Sequence, residues 1–475
     1  MPISHHYRPS LAHAKLDERF YDRVNPASFP NHIIRWRNQL WAQKLGLDEL
    51  TNAEWIEHFG RFAPLPDNHP SPLALRYHGH QFRHYNPDLG DGRGFLFAQI
   101  IEPLTVRVLD LGTKGSGQTP WSRFGDGRLT LKGGVREILA TEMLEAYGVN
   151  TSKTLSLIET GEELARHDEP SPTRSSVLVR LSHSHIRIGT FQRLAYLRDN
   201  DAIETLINHV ITYYMADLST YEGAERIAQF YKRVIENVAH CCAQWMVSGF
   251  VHGVLNTDNI NITGESFDYG PWRFVPYFDP NFTAAYFDEN GLYAFGRQPQ
   301  AVKWNLARLA ECLLPFLTQE HVSELLAEFD HHLAQSYADH LFHHLGLIPH
   351  GNESDTHFIK LWTQFLHDTR VPFAQAHFDW HGGKMRHDSP CAPLYDSDAM
   401  KPLHKAFADY TKAPITPAGE AYFAQSTPCT MLIDDVEAIW DRIAKDDDWS
   451  AFDEKIKEIA AMKRALAPKT EDNTG

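Results

Sequence analysis

Cysteine is scarce. Five residues (Cys241, Cys242, Cys312, Cys391 and Cys429) stand in a chain of 475, an odd count with no Cys-x-x-Cys spacing. That argues against a disulfide framework and a structural zinc site, and for a reducing compartment. No run approaches the roughly 18 apolar residues that cross a bilayer. The first 26 residues are rich in His, Arg and Asp and hold no apolar stretch. Neither a membrane span nor a secretory signal is expected, which makes the cytoplasm the default location, or a mitochondrion if the chain is eukaryotic. Positive charge is in deficit, with 45 Lys and Arg against 61 Asp and Glu and a net charge of -16. Such a surface repels polynucleotides, so neither nucleic acid nor membrane is an expected partner. Any phosphate handled here must meet a local cluster of Arg and Lys. No internal repeat of solenoid length occurs.

What is present is ordinary globular material, 43% hydrophobic and 22% charged, so bulk disorder and fibrous structure are excluded. The length allows roughly two to four domain-sized units. The 28 histidines scatter without a metal-ligand motif and read as surface or packing residues.

The first sixty residues read as short helices, with Trp36, Leu40, Trp41 and Leu45 at helical spacing and Gly46 as a stop. Pro64, Pro66, Pro70 and Pro72 then make a connector. From Tyr77 to Phe191 the texture is short strands and glycine-rich turns. Gly94–Ile100 and Leu104–Leu111 read as strands, the latter with Leu104, Val106 and Val108 on one face. One helix interrupts them, carrying the stripe Val135, Ile138, Leu139, Met143, Ala146 and Tyr147 and ending at Gly148. Beyond residue 200 the chain turns helical. Ile227, Tyr231, Val234, Val238, Cys241 and Trp245 keep a three/four spacing up to Gly249. A loop at His252–Asn259 follows, then a hairpin pairing Asn261–Thr263 with Ser266–Asp268, then helices at Trp304–Leu317 and His321–Leu345. The fold class is therefore α+β, a strand-rich lobe with one key helix beside a helical lobe. The expected units are 1–75 (helical extension and connector), 76–200 (strand-rich lobe), 201–345 (helical lobe) and 346–475 (helical extension).

Several segments can carry chemistry. Gly-Asp-Gly-Arg occurs at Gly90–Arg93 and again at Gly125–Arg128. Glycines let backbone N–H groups approach a phosphate, and each arginine adds a planar fork of donors. A pair of tight turns is the alternative. Lys114 sits where the strand Thr105–Leu111 gives way to Lys114-Gly-Ser-Gly117, 23 residues before Glu137 on the helix. A buried lysine needs such a counter-charge, as in the strand-lysine and helix-glutamate pair of kinases, whereas an exposed pair would be inert. Arg180 and Arg187, seven apart, would concentrate cations for a polyphosphate, while an ordinary strand with polar residues outward is the plainer reading of this segment alone. The sharpest signal is His252-Gly-Val-Leu-Asn-Thr-Asp-Asn259 followed by Asp268-Tyr-Gly270. Folding would bring Asn259 and Asp268 together as oxygen ligands for Mg²⁺, leaving Asp258 to accept a proton from an attacking hydroxyl. Kinases use the same order of Asp, Asn and Asp; a loop of capping Asx residues is the plain alternative.

Together these segments resemble the selenoprotein O family of kinase-like protein adenylyltransferases. The resemblance is carried by Tyr77-His-Gly-His-Gln-Phe82, Leu89-Gly-Asp-Gly-Arg93, Lys114-Gly-Ser-Gly117, Thr119–Arg128, Arg136-Glu137, Arg180, Ser184-His-Ile-Arg187, Asn256-Thr-Asp-Asn259, Asp268-Tyr-Gly-Pro271 and Gln298-Pro299. Weaker likeness spans about Phe20 to Leu309. It implies a bilobal kinase-like fold binding ATP in a flipped orientation, so that AMP passes to a Ser, Thr or Tyr hydroxyl of a protein and pyrophosphate leaves. By the same resemblance Gly90, Gly92, Arg93, Lys114, Asp126, Gly127, Arg180, Arg187 and Asp268 would contact the nucleotide. Glu137 would pair with Lys114, Asn259 and Asp268 would bind Mg²⁺ or Mn²⁺, and Asp258 would be the base. UMP transfer from UTP is a further family activity. The chain departs from the family at Arg83 (usually Gly), Gln118 (usually Arg) and Gly133-Gly134 (usually small hydroxyl residues), and in lacking a C-terminal Cys or selenocysteine motif. A protein kinase and an ATP-binding pseudoenzyme remain as the other readings of the same residues.

Overall fold

The computed structural model describes residues 3–167 and 169–467. Its organising element is a nine-stranded antiparallel sheet. In chain order the strands are β1 (Pro9–Ser10), β2 (Tyr21–Arg23), β3 (Ile33–Arg37) and β4 (Leu73–Leu75). A separate hairpin, β5 (Gly79–Gln81) and β6 (His84–Asn86), precedes β7 (Leu96–Ile101), β8 (Val108–Lys114), β9 (Leu129–Thr130), β10 (Lys153–Leu164) and β11 (Thr173–Ser182). The main path runs β2-β4-β7-β8-β11-β10-β3, with β1 on β7 and β9 on β11.

The two sides of the sheet serve different ends because side chains alternate along each strand. One side, with Leu109, Leu111, Val177 and Val179, packs on the short helices α1 (Gln39–Lys44) and α2 (Asn52–Phe59) through Trp41, Trp55 and Phe59. The other side takes α3 (Leu131–Ala146), whose Val135, Ile138 and Leu139 join Leu157 and Leu178 in the main core. Thr130 caps α3 by accepting from Gly133 N, and Gly148 ends it at φ +75°. A Cβ at Gly134 would lie 2.4 Å from Leu157 Cδ1. The glycines at 133 and 134 thus leave the helix start capped and let α3 sit close on the sheet.

The helical part follows as α4 (Ile188–Tyr196), α5 (Asn200–Tyr214), α6 (Gly223–Ser248), α7 (Gln298–Leu313), α8 (Gln319–Ala327) and α9 (Phe329–His344). α6 follows the expected apolar spacing and stops at Gly249 in the left-handed region. Residues 346–467 are mainly helical. Of these, Ile433–Asp446 and Ser450–Leu466 pack back against α3, with Lys132–Glu437 and Lys463–Glu145 ion pairs of 2.7 Å at the contact. Residues 471–475, on which the expectation about a C-terminal thiol motif falls, lie outside the described residues.

Four sequence expectations are corrected. The first sixty residues are not a purely helical extension: β3 pairs with β10, Leu157 opposite Trp36, and covers an edge that would otherwise be open. Asn38 accepts from Trp41 N, so the helix begins only after Trp36. Leu104 and Val106 are not strand residues. They are 85% and 67% exposed, in a turn where Pro103 lacks a donor and Val106 has φ +58°, and β8 starts at Val108. The hairpin after the Asn259 loop is absent, because Asn261 bridges to Arg187 and Ser266 to Thr151 instead of to each other. His321–Leu345 is broken at Glu328 into α8 and α9. Among the described residues no helix is long and apolar enough to cross a membrane.

Candidate active site

Register brings the first cations together. In the β8–β11 ladder Leu178 faces Lys114 and Arg180 faces Gly112. Positions 112 and 114 share a side, so Lys114 and Arg180 emerge next to each other on the side that α3 covers. Glu137 on α3 then meets Lys114 at 2.8 Å, with the lysine 6% and the glutamate 1% exposed. Asp268 arrives from the segment after Ser266 and sits 3.0 Å from Lys114, 3.2 Å from Arg180 and 3.7 Å from Arg187. One carboxylate therefore serves three cations. Burial would raise its pKa, but Lys114, Arg180 and Arg187 hold it well below the usual carboxylate range.

Arg187 is buried, with both terminal nitrogens engaged and Nε without a partner. Its Nη1 donates to the Asp258 carbonyl at 3.0 Å and its Nη2 to Asp91 at 3.3 Å, while Tyr77 and Phe267 lie against the guanidinium at 4.3 and 4.9 Å. Asp258 lies in a single helical turn, Thr257–Asn259, and its Oδ1 is buried without a hydrogen-bond partner. Burial pushes the carboxyl up to about 7, with Arg187 opposing. A carboxyl poised near neutrality and lacking a donor is suited to receiving a proton.

The two Gly-Asp-Gly-Arg turns both line the same cleft, a space of about 770 Å³ shared with Lys114, Arg180, Arg187, Asp258 and Asp268. Their glycines are needed first for backbone packing. A Cβ on Gly90 would come within 2.4 Å of Trp121, and one on Gly127, at φ +70°, within 2.2 Å of Gly117. Arg93 is exposed along this cleft, whereas Arg128 is forked onto Glu162 at 2.9–3.0 Å. Asp126 is clamped by Arg166 at 2.8 and 3.1 Å at the outer end. Asn259 stands apart from this set. It follows Asp258 but does not line the cleft, and its Nδ2 donates to Val254 O at 2.9 Å. That bond uses one of its two donors and leaves the side-chain oxygen as an acceptor.

Sequence reasoning assigned no role to Asp91, Tyr77, Phe267 or Gly79. Asp91 was hidden inside a motif read for its glycines and arginine, yet it is half-buried against Arg187 at 3.3 Å. Gly79 on β5 packs so close to Asp258 that a Cβ would lie 2.8 Å from Oδ1. Gly79→Ala is therefore expected to displace the Asp258 carboxyl and lower turnover by roughly tenfold or more with an intact fold, as misplacing a reacting group does; steady-state kinetics beside a melting curve check this. Of the departures noted above, Arg83 lies in the left-handed region at φ +66° with its guanidinium 5.6 Å over Trp304. Gln118 donates to Gly125 O at 2.8 Å and so braces the second glycine turn.

Asp268, ionised, offers the carboxylate oxygens that a divalent cation takes, and the Asn259 amide oxygen is left as an acceptor although Asn259 does not line the cleft. A lysine held by a helix glutamate, two further buried arginines and a carboxyl near neutrality are the equipment of an enzyme that moves part of a nucleotide, and the class is that of the protein nucleotidyltransferases. The family model described as protein adenylyltransferase SelO matches residues 3–460. The chain belongs to this SelO family. It is 41% identical over 477 residues to the protein nucleotidyltransferase YdiU of Trichormus variabilis, covering 96% of both chains. It is 43% identical over 460 residues to that of Gloeobacter violaceus, covering 94% of this chain and 93% of the relative. With the Vibrio cholerae protein of the same name it shares 38% over 336 residues, 70% of this chain and 67% of the relative.

Proposed function

We propose that this enzyme transfers AMP from ATP to the hydroxyl of a Ser, Thr or Tyr in a protein substrate and releases pyrophosphate. The observation that carries the reading is the convergence of Lys114, Arg180 and Arg187 on one carboxylate, Asp268, beside a partnerless Asp258 held near neutrality. In the proposed step the substrate oxygen bonds to the α-phosphorus. The bond from that phosphorus to the α–β bridging oxygen breaks, and Asp258 takes the hydroxyl proton. Lys114, Arg180, Arg187 and the exposed Arg93 offset triphosphate charge, with Glu137 keeping Lys114 in place. Gly90 and Gly92 permit close backbone approach, and Asp126 with Gly127 closes the outer end of the nucleotide site. Asn259 and Asp268 would hold Mg²⁺ or Mn²⁺, which when bound neutralises phosphate oxygens.

The sheet with α3 on one hand and the helices from α4 to α9 on the other fit the two lobes of a kinase-like fold, the cleft lying between them. The N- and C-terminal segments, 1–75 and 346–475, are read as additions to that core. Cytoplasmic location accords with five free thiols.

Parallel incubations with ATP labelled at the α- or the γ-phosphate test the function. Protein label from the α-position alone is the expected outcome, with loss on chelation of divalent metal. Label from the γ-position alone would make the enzyme a kinase and reverse the proposed orientation of ATP; protein label from α-labelled UTP would reveal UMP transfer.

A further inference from the structure

Behind the cleft, outside the residues used above, lies a second buried acid. Asp110 on β8 is wholly enclosed and accepts four hydrogen bonds. Its Oδ1 takes Gln99 Nε2 at 2.6 Å and the Tyr214 hydroxyl at 3.3 Å; its Oδ2 takes the backbone N–H of His185 at 2.9 Å and His185 Nδ1 at 3.3 Å. The other nitrogen of that imidazole, Nε2, lies 3.2 Å from Arg180 Nε. Each end of the ring dictates the same proton position. An ionised carboxylate only accepts, so Nδ1 carries the hydrogen; an arginine Nε–H only donates, so Nε2 must be bare.

We propose that His185 is a positioning residue for Arg180: a neutral imidazole, locked by Asp110 as the Nδ1–H tautomer, whose Nε2 lone pair fixes the rotation of the guanidinium that enters the cleft. With Nε so held, Nη1 is directed at Asp268 (3.2 Å) and Glu137 (3.6 Å), and the guanidinium carbon rests 5.1 Å from the centre of the Phe267 ring. A second, independent feature is Gly112, which faces Arg180 across the ladder. A Cβ there would stand 2.4 Å from His185 Nε2, so only glycine leaves room for the ring. The charge states agree. Burial lowers the His185 pKa against the pull of Asp110, with Arg180 and Arg187 adding to the lowering. Burial alone would raise Asp110, yet His185 and Gln99 bring it below the usual range.

The functional consequence rests on the reading of Arg180 as a nucleotide contact. ATP binding is to be measured by calorimetry for wild type, His185→Gln, His185→Leu, Arg180→Ala and the double variant Arg180→Ala with His185→Leu, each checked by its melting curve. Gln can return an acceptor to Arg180 Nε and Leu cannot. His185→Leu is expected to raise the ATP Kd about tenfold, the scale of one charge-assisted hydrogen bond. His185→Gln should recover most of that loss, and His185→Leu should add nothing once Arg180 is Ala. Equal weakening by Gln and Leu, or an undiminished further loss in the double variant, would overturn the proposal.

A measurement that needs neither nucleotide nor a folded Leu variant is the spectrum of protein ¹⁵N-labelled in histidine. A protected ring N–H on Nδ1, absent from the His185→Gln spectrum, is expected; an Nε2–H or imidazolium form at neutral pH would overturn the proposal. Failure of wild type to transfer AMP would refute the proposed reaction while the binding and tautomer results still decide the role of His185.

Discussion

Asp268→Ala is expected to abolish labelling from α-labelled ATP, by about a thousandfold or more, and at the same time to make the protein depend on ATP for its stability. In the nucleotide-free state Asp268 is the shared counter-charge of Lys114, Arg180 and Arg187. Deleting it leaves Lys114 and Arg180 with Glu137 as their nearest remaining anion and Arg187 with Asp91 alone. Breaking a buried pair in this way costs about 3–5 kcal/mol. A triphosphate without metal restores the missing negative charge, so ATP should raise the melting temperature of the variant more than that of wild type. The pH dependence has a definite sign. Asp268 has a depressed pKa in the folded state, so its contribution is present above the ordinary carboxylate pKa of about 3.9 and is lost as pH falls through the folded value. The difference between wild type and variant should therefore be full near neutrality and shrink in acid. Label at wild-type level, or an ATP-induced shift no larger than wild type's, would refute the assignment of Asp268.

Asp258→Asn should separate activity from stability in the opposite direction. The substitution removes the proposed proton acceptor and should cost about 10²–10⁴ in turnover. Yet Asp258 Oδ1 has no partner and its carboxyl is shifted up to about 7, so the charged form is an unfavourable occupant of the native site. A raised folded pKa means that stability is greatest below the unfolded value and is lost as pH rises through about 7. The amide has no charge to lose. The nucleotide-free variant should match wild type near pH 5 and exceed it near pH 8 by roughly 1–3 kcal/mol, the cost of a buried unsatisfied polar group. Melting curves at the two pH values check this. Equal differences at both would show that Asp258 is ionised throughout.

Local pattern was enough for much of this site. The apolar stripe of α3 put Glu137 on a definite helix, and a lysine just past a strand needed a counter-charge nearby. The order Asp258, Asn259, Asp268 suggested a proton acceptor beside an acidic ligand set. The terminal strands were less legible. Ile33–Arg37 is a strand only because β10 offers it an edge, and that partner lies more than a hundred residues away. The hairpin expected at Asn261–Asp268 failed for the same reason, since its two arms find partners at Arg187 and Thr151.

Asn259 shows the limit at the level of one side chain. Its sequence position beside Asp258 is plain, but the bond to Val254 that orients it is set by the path of the loop. His185 shows it again. Read along the chain it stands in the Ser184-His-Ile-Arg187 segment with no role of its own. Only the pairing of Arg180 with Gly112, and the enclosure of Asp110 beneath, give that ring a single protonation state.

The amino-acid sequence by itself determined the helices with strong three/four periodicity, the glycine turns and the identity of the charged groups, because these depend on neighbours within a turn or two of backbone. Tertiary structure decided which strands share a ladder, which cations share Asp268, and which carboxyls are left without a partner. Those outcomes depend on register and burial, and both come into being only when distant segments exclude water together.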